Sequence, residues 1–330
     1  RLAHPPALWP RLNHMKTVLI LGVTGQTGAY LSGQLLTNGY RVVGSSRDWS
    51  ESNTWRLKKR GVLESVEGVS LSLHDHTSLA RLLDSVAPDE IYYLAGPSSV
   101  AASFREPTVS MSDIFDPVVN ILELLKQRSS NATFVNAAST DCFGDQSGTI
   151  LNETSRMQPI SPYGISKTAT FWATQNYREA FDIRARNAIL TNHESPLRGA
   201  AFVTQKIISG LRDVTLGKKK SIALGNTTIG RDWLWADDVA RALALIGSSP
   251  QSHDCVVASG TTSTLDEFTT LACTEFELDP NVVLTHDPAL TRPREIQSVH
   301  LDPSRIRDYL GWQPQVSFPE LVSRLVRGEP

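Results

Sequence analysis

The stretch Ser161-Pro162-Tyr163-Gly164-Ile165-Ser166-Lys167 sets a phenol and an ammonium four residues apart. On a helix, positions i and i+4 share a face, so Tyr163 and Lys167 are expected side by side. A cation one turn away lowers the pKa of a phenol, and a tyrosinate can take a proton from a sugar hydroxyl. Ser139, at the end of "NAAS", can supply a third hydrogen bond to the same centre. Alone, the pair would also suit an exposed surface with no chemistry, so its meaning depends on what lies around it.

Upstream, Gly22-Val23-Thr24-Gly25-Gln26-Thr27-Gly28 joins an apolar run, "KTVLILG", to a helical pattern, "QTGAYLSGQLLTNGY". In such a loop the first glycine permits a tight turn, the second admits a pyrophosphate to the backbone, and the third lets helix and strand pack closely. Glycines also fill strand–helix turns for steric reasons alone, but in the first β-α unit the loop reads as a dinucleotide site. The next strand ends in Gly44-Ser45-Ser46-Arg47-Asp48. An arginine with two hydroxyls suits a 2′-phosphate, which favours NADP, while the neighbouring Asp48 keeps NAD open. With a dinucleotide upstream, whose positive nicotinamide adds to Lys167 in lowering the phenol's pKa, Tyr163, Lys167 and Ser139 read as catalytic.

The elements that must position these groups alternate strand with helix. "RVVGSS", "VSLSL", "EIYYLAG" and "ATFVNAAS" read as strands two to five, with helical patterns such as "SLARLLDSV" and "PVVNILELLKQR" between them. That rhythm predicts a Rossmann-type α/β fold, a doubly wound parallel sheet, with a smaller C-terminal α/β substrate-binding lobe. We place the nucleotide-binding domain at 15–191 plus about 233–260, and the lobe at about 192–232 plus 261–330. Trp233 and Trp235 read as packing rather than as base-stacking groups.

Bulk properties remove several classes of function. With 40% hydrophobic and 20% charged residues and a net charge of −2, the 330-residue chain has no electrostatic case for nucleic acid or an anionic membrane. Lys218-Lys219-Lys220 reads as a solvated turn. The three cysteines, Cys142, Cys255 and Cys273, are widely spaced and suggest neither a metal site nor a disulfide frame. No apolar run approaches the roughly 20 residues that span a bilayer. The opening 1–14 is a poor signal peptide and reads as an upstream extension or expression remnant before Met15, and the expected compartment is the cytoplasm.

Together the glycine loop, Ser139 and Tyr163-x-x-x-Lys167 resemble the extended short-chain dehydrogenase/reductase superfamily. "GVTGQTGAYL", "ASTDCFG", "SPYGISK", "NYREAF", "NHESPLRGAAFVTQKI", "LGNTTIGRDW", "TRPREI" and "LGWQP" narrow the resemblance to the GDP-mannose 4,6-dehydratases, in order along nearly the whole chain from residue 16. The resemblance implies that Tyr163, helped by Lys167 and Ser139, removes the hexose O4 proton as C4 is oxidised. A carboxylate then takes the C5 proton as the C6 hydroxyl leaves, and hydride returns to C6. It places cofactor contacts at Gly22, Thr24, Gly25, Gln26, Thr27, Gly28 and Arg47, at Ser72 and Leu73, at Leu94, Ala95, Gly96 and Ser98, and at Tyr163, Lys167, His193 and Arg198. Substrate contacts fall on Ser99, Asn192, Lys206, Arg231, Arg292 and Glu295, and a homodimer or homotetramer is implied.

Several residues depart from the family pattern. Asp141 stands where the family carries the glutamate base, one methylene shorter, and it could instead cap the following loop. Ser72 replaces an aspartate that bonds the adenine amino group, Tyr93 and Pro97 are unusual beside the cofactor, and Asp48 replaces a second arginine in a loop that makes tetramer contacts. Two rivals remain: a nucleotide-sugar 4-epimerase or 4-keto reductase, neither of which needs a base at C5, and a non-catalytic cofactor or nucleotide-sugar binder.

Overall fold

The computed structural model describes residues 15–251, 253–290 and 294–329; the opening segment and Arg292 lie outside the described residues. Among the described residues, seven parallel strands form the main sheet: β1 (Thr17–Leu21), β2 (Arg41–Ser46), β3 (Glu67–Ser70), β4 (Glu90–Tyr93), β5 (Thr133–Ser139), β6 (Ala185–Leu190) and β7 (Cys255–Val257), in spatial order 3-2-1-4-5-6-7. The apolar runs suit this arrangement because both faces are covered. Val18 and Ile20 enter one hydrophobic core and Leu19 and Leu21 the other, all with no exposed surface. Tyr92 and Tyr93 divide in the same way. Each fully buried aliphatic side chain of this kind contributes about 1.5–3 kcal/mol.

Strand order reverses between β1 and β4, which opens a crevice beyond their C-terminal ends. Helix α1 (Gln26–Thr37) starts at that point, and α2 (Glu51–Lys59), α3 (His76–Val86), α4 (Val100–Arg105) and α5 (Pro107–Gln127) follow it along the chain. Strand β3 sits earlier than "VSLSL" suggests: it pairs with β2 through Glu67–Ser70, while the buried Leu71 and Leu73 belong to the connection that follows. Burial of alternate leucines mimicked a strand where the chain is already leaving the sheet.

Beyond β6 the lobe forms small sheets. Gly230–Trp235 runs parallel to Asn192–Glu194 and antiparallel to Thr262–Thr264. Its core gathers Ile207, Leu211, Trp233, Trp235, Phe268, Leu321 and Leu325. The Trp233 ring lies 5.7 Å from Phe268, so both tryptophans serve packing. The "LGWQP" segment is tied back by Asp238, whose buried carboxylate accepts from the Gln315 and Val316 N–H groups (3.0 and 3.1 Å). Trp312 Nε1 donates to the Asp238 carbonyl (3.0 Å).

Candidate active site

Gly22 adopts φ 90°, and a Cβ there would come within 2.8 Å of the Ala95 backbone, while one on Gly28 would lie 2.6 Å from the Val23 carbonyl. The N-cap of α1 is Gly25, which has no side-chain acceptor, so the first-turn N–H groups of the helix are offered to an anion. This cradle fits a dinucleotide pyrophosphate. The loop is also anchored from the lobe side. Gln26 Nε2 donates to the His193 carbonyl (3.0 Å), and its Oε1 accepts from the Ser195 hydroxyl (2.7 Å). His193 Nδ1 donates to the Thr191 carbonyl (2.9 Å), which leaves Nε2 to accept from Thr27 Oγ1 (2.8 Å). Enclosure, reinforced by the nearby Arg198 cation, pushes His193 down to about 4, so it is neutral at physiological pH.

At the far end of the crevice Ser46 Oγ meets Thr24 Oγ1 at 3.0 Å, and Arg47 projects into solvent, 3.7 Å from the Asp113 carboxylate. Ser72 is exposed and Leu73 buried after β3; Leu94 and Ala95 are half-buried after β4, with Gly96 and Ser98 exposed beside them. Tyr93 takes no place in this wall. Its ring is buried and its hydroxyl donates to the Ile114 carbonyl (3.2 Å).

The catalytic candidates come together over the ends of β5 and β6. Ser139 is the last residue of β5 and opens a short 3-10 turn, Thr140–Cys142, that carries Asp141. The Ser139 hydroxyl accepts from the Asp141 N–H (3.2 Å) and donates to Asp141 Oδ2 (3.1 Å). Helix α6 (Pro162–Phe181) begins with Ser161 as N-cap, its Oγ accepting from the Gly164 N–H (3.0 Å), and Pro162 in the first turn. A Cβ on Gly164 would lie 2.8 Å from the Asp141 carbonyl, so glycine there lets the start of α6 close on the 3-10 turn. A buried polar cluster fixes the register: Asn136 Nδ2 on β5 donates to Asn187 Oδ1 on β6 (2.9 Å) and to Thr170 Oγ1 on α6 (3.3 Å).

Lys167 Nζ reaches to 6.0 Å from the Tyr163 ring centroid and donates to the Ala137 carbonyl (2.8 Å). Burial lowers its pKa to about 8. The expected lowering of the Tyr163 pKa rests on Lys167 and the positive charge of a nicotinamide together; in the protein alone the phenol is raised above the ordinary range. Burial is the larger cause and the Asp141 charge the next, against which the Ser139 hydroxyl and the Arg198 cation act only partly. The i, i+4 rule supplied the lysine but could not anticipate how deeply the phenol is enclosed.

On the substrate side, Arg231 and Glu295 form one unit, with Nη2 3.0 Å from Oε1 and Nη1 donating to the Gly230 carbonyl (2.8 Å). Asn192 lies on the lobe sheet opposite Trp233, and Lys206 is exposed on the helix Val203–Thr215. The Ser99 hydroxyl N-caps the helix Val100–Arg105 by accepting from the Ala102 N–H (3.1 Å). Arg198 stacks 3.7 Å over the Phe202 ring and lies 3.6 Å from the buried Glu194.

The family model described as "GDP-mannose 4,6 dehydratase" matches residues 19–325, which takes in the glycine loop, the Ser139–Asp141 turn, Tyr163 and Lys167. The chain belongs to the GDP-mannose 4,6-dehydratase family. It is 36% identical to GDP-mannose 4,6 dehydratase 2 of Arabidopsis thaliana, over 94% of this chain and 86% of that one. It is 31% identical to the GDP-mannose 4,6-dehydratase of Vibrio cholerae, over 95% and 93%. The fold matches the dTDP-glucose 4,6-dehydratase of Streptomyces venezuelae, solved with NAD bound, at a TM-score of 0.83 and 22% identity, over 94% of this chain and 96% of that one.

Within this dehydratase-family frame, several positioning residues escaped the reading of the sequence. Asn53 Nδ2 donates to Ser46 Oγ (2.8 Å) and the Asp48 carbonyl (2.7 Å), and Arg56 Nε donates to the Leu197 carbonyl (2.8 Å). Ser103 Oγ accepts from the Tyr163 N–H (3.2 Å). Asn53-Thr54-x-Arg56 at one helical turn was the available signal for the first two; Ser103 had none, since it lies 60 residues from its partner.

Proposed function

We propose that the chain converts GDP-mannose to GDP-4-keto-6-deoxymannose, a net loss of water. The observation that carries this reading is the seating of Asp141, hydrogen-bonded to Ser139, in the turn that closes against the start of α6, where Tyr163 stands. In its tyrosinate form Tyr163 Oη takes the sugar O4 proton, with Lys167 Nζ holding positive charge behind it and the Ser139 hydroxyl turning from Asp141 to steady the oxygen. Oxidation at C4 acidifies C5–H, and an Asp141 carboxylate oxygen takes that proton and hands it to the departing C6 hydroxyl, which leaves as water. The proton taken up by Tyr163 balances the one that C5 regains as C6 is reduced. The α1 N-terminus would hold a nicotinamide dinucleotide, which when bound would supply the reversible hydride exchange that the C4 oxidation and the C6 reduction need, with no external reductant. Arg47 favours NADP over NAD. Arg231, paired with Glu295, together with Lys206, Asn192 and Arg292, binds the GDP-sugar.

A homo-oligomer fits the exposed apolar side chains Val109 and Met111 on the helix Pro107–Gln127 and Ile165 and Trp172 on α6. Three buried, unpaired cysteines suit a reducing compartment such as the cytoplasm. The domain boundaries given above follow the same reading. The test is incubation of the purified protein with GDP-mannose, with and without NADP⁺ and with no reductant, followed by mass spectrometry. Loss of one water without net NADPH supports the dehydratase cycle. An unchanged mass with cofactor still bound would sink it in favour of another GDP-sugar or of a non-catalytic binder.

A further inference from the structure

Asp113 has been given no role above beyond its approach to Arg47, yet its carboxylate lies where three loops converge. Arg47, after β2, approaches Oδ2 to 3.7 Å, and His74, after β3, donates through Nε2 to Oδ1 at 2.9 Å. The loop after β4 lies beneath it: a Cβ on Gly96 would be 3.4 Å from the Asp113 carbonyl, and the buried Tyr93 hydroxyl donates to that carbonyl and to its neighbour at Ile114. The acid is therefore held by a fixed helix and a buried phenol, whereas Arg47 is 83% exposed and adjustable. The place is the end of the crevice away from Tyr163, where the adenosine ribose of a dinucleotide lies when its pyrophosphate sits on the α1 N-terminus.

We propose that Asp113 is a specificity-determining residue that weakens the chain's preference for a 2′-phosphate and lets the 2′-hydroxyl form of the cofactor compete. This rests on the reading that Arg47 faces the ribose 2′ position. An exposed ion pair of this kind adds little to stability, so its consequence lies in what Arg47 can hold. A 2′-phosphate bound by Arg47 brings close to two negative charges within about 5 Å of Asp113, and in a water-like dielectric that repulsion lowers affinity on the order of tenfold. A 2′-hydroxyl meets no such repulsion and can donate to the carboxylate, the role an acid at this ribose plays in NAD-binding folds.

The experiment is titration calorimetry of the full chain with NADP⁺ and with NAD⁺ at one ionic strength, for the wild type, Asp113→Asn and Arg47→Ala. We expect Asp113→Asn to tighten NADP⁺ on the order of tenfold while NAD⁺ is unchanged or weakened, and Arg47→Ala to weaken NADP⁺ selectively. If Arg47→Ala is selective but neither Asp113→Asn nor Asp113→Ser changes the NADP⁺/NAD⁺ ratio, Asp113 has no part in selection and the proposal fails. If Arg47→Ala itself leaves the ratio unchanged, the reading of Arg47 fails and the proposal falls with it.

Discussion

Asp141 is the residue on which the type of reaction turns. Its carboxylate is short and is held by the Ser139 hydroxyl, so the acid is already oriented but has little reach. Asp141→Asn keeps the size of the side chain and removes the base. Rapid-quench analysis should then show water elimination slowed by about 10²–10⁴-fold, with the 4-keto intermediate still formed. Elimination at the wild-type rate would assign the C5 proton to another group. His193 carries a prediction of a different kind. Its pKa falls from an ordinary 6.5 to about 4 on folding, so between those values the unfolded chain binds more protons than the folded one. The stability that neutral His193 contributes is complete above pH 6.5 and is lost as pH falls toward 4. Urea midpoints at pH 7 and 4.5 should differ less in His193→Gln than in the wild type; an identical difference would remove His193 from the acid response.

At the scale of elements, the site depends on how α6 meets the turn after β5. Ser161 and Pro162 start the helix, the asparagine pair across β5 and β6 fixes its register, and Gly164 sets the closest approach. Gly164→Ala places a methyl 2.8 Å from the Asp141 carbonyl, so either the helix or the turn must shift. Overpacking of this sort costs about 1–3 kcal/mol. A shift of about 1 Å at Tyr163 lowers kcat on the order of 10²-fold. Thermal melting and steady-state kinetics should register both effects; unchanged kcat would mean that the turn moves without carrying the catalytic groups.

For the whole molecule, the two layers of core on either side of the seven-stranded sheet and the separate lobe core leave the crevice as a seam bridged by Gln26, Thr27, His193 and Ser195. The helix Pro107–Gln127 and α6 pack against each other and present Met111, Ile165 and Trp172 outward. If that face joins copies of the chain, Trp172→Glu should shift sedimentation from an oligomer to a monomer while leaving the far-UV spectrum intact. A monomeric wild type, or an oligomer unaffected by the change, would place assembly elsewhere or exclude it.

The local chemistry was legible in the order of residues. Glycine spacing, alternation of apolar runs with helical patterns, and the Tyr163–Lys167 interval are short-range features, and backbone geometry translates them directly into a β-α-β nucleotide fold with a phenol and an ammonium at one helix start. The resemblance also offered Arg231 and Glu295 as candidate substrate groups, but not that they pair with each other across 64 residues. It offered Arg47 as a candidate for the ribose without the Asp113 carboxylate that faces it, and it did not disclose the burial that raises the Tyr163 phenol in the protein alone. Those outcomes belong to the tertiary structure, because distance between charges and depth below the surface are set only when separate segments pack. Field and desolvation follow from that packing, whereas periodicity is a property of the chain itself.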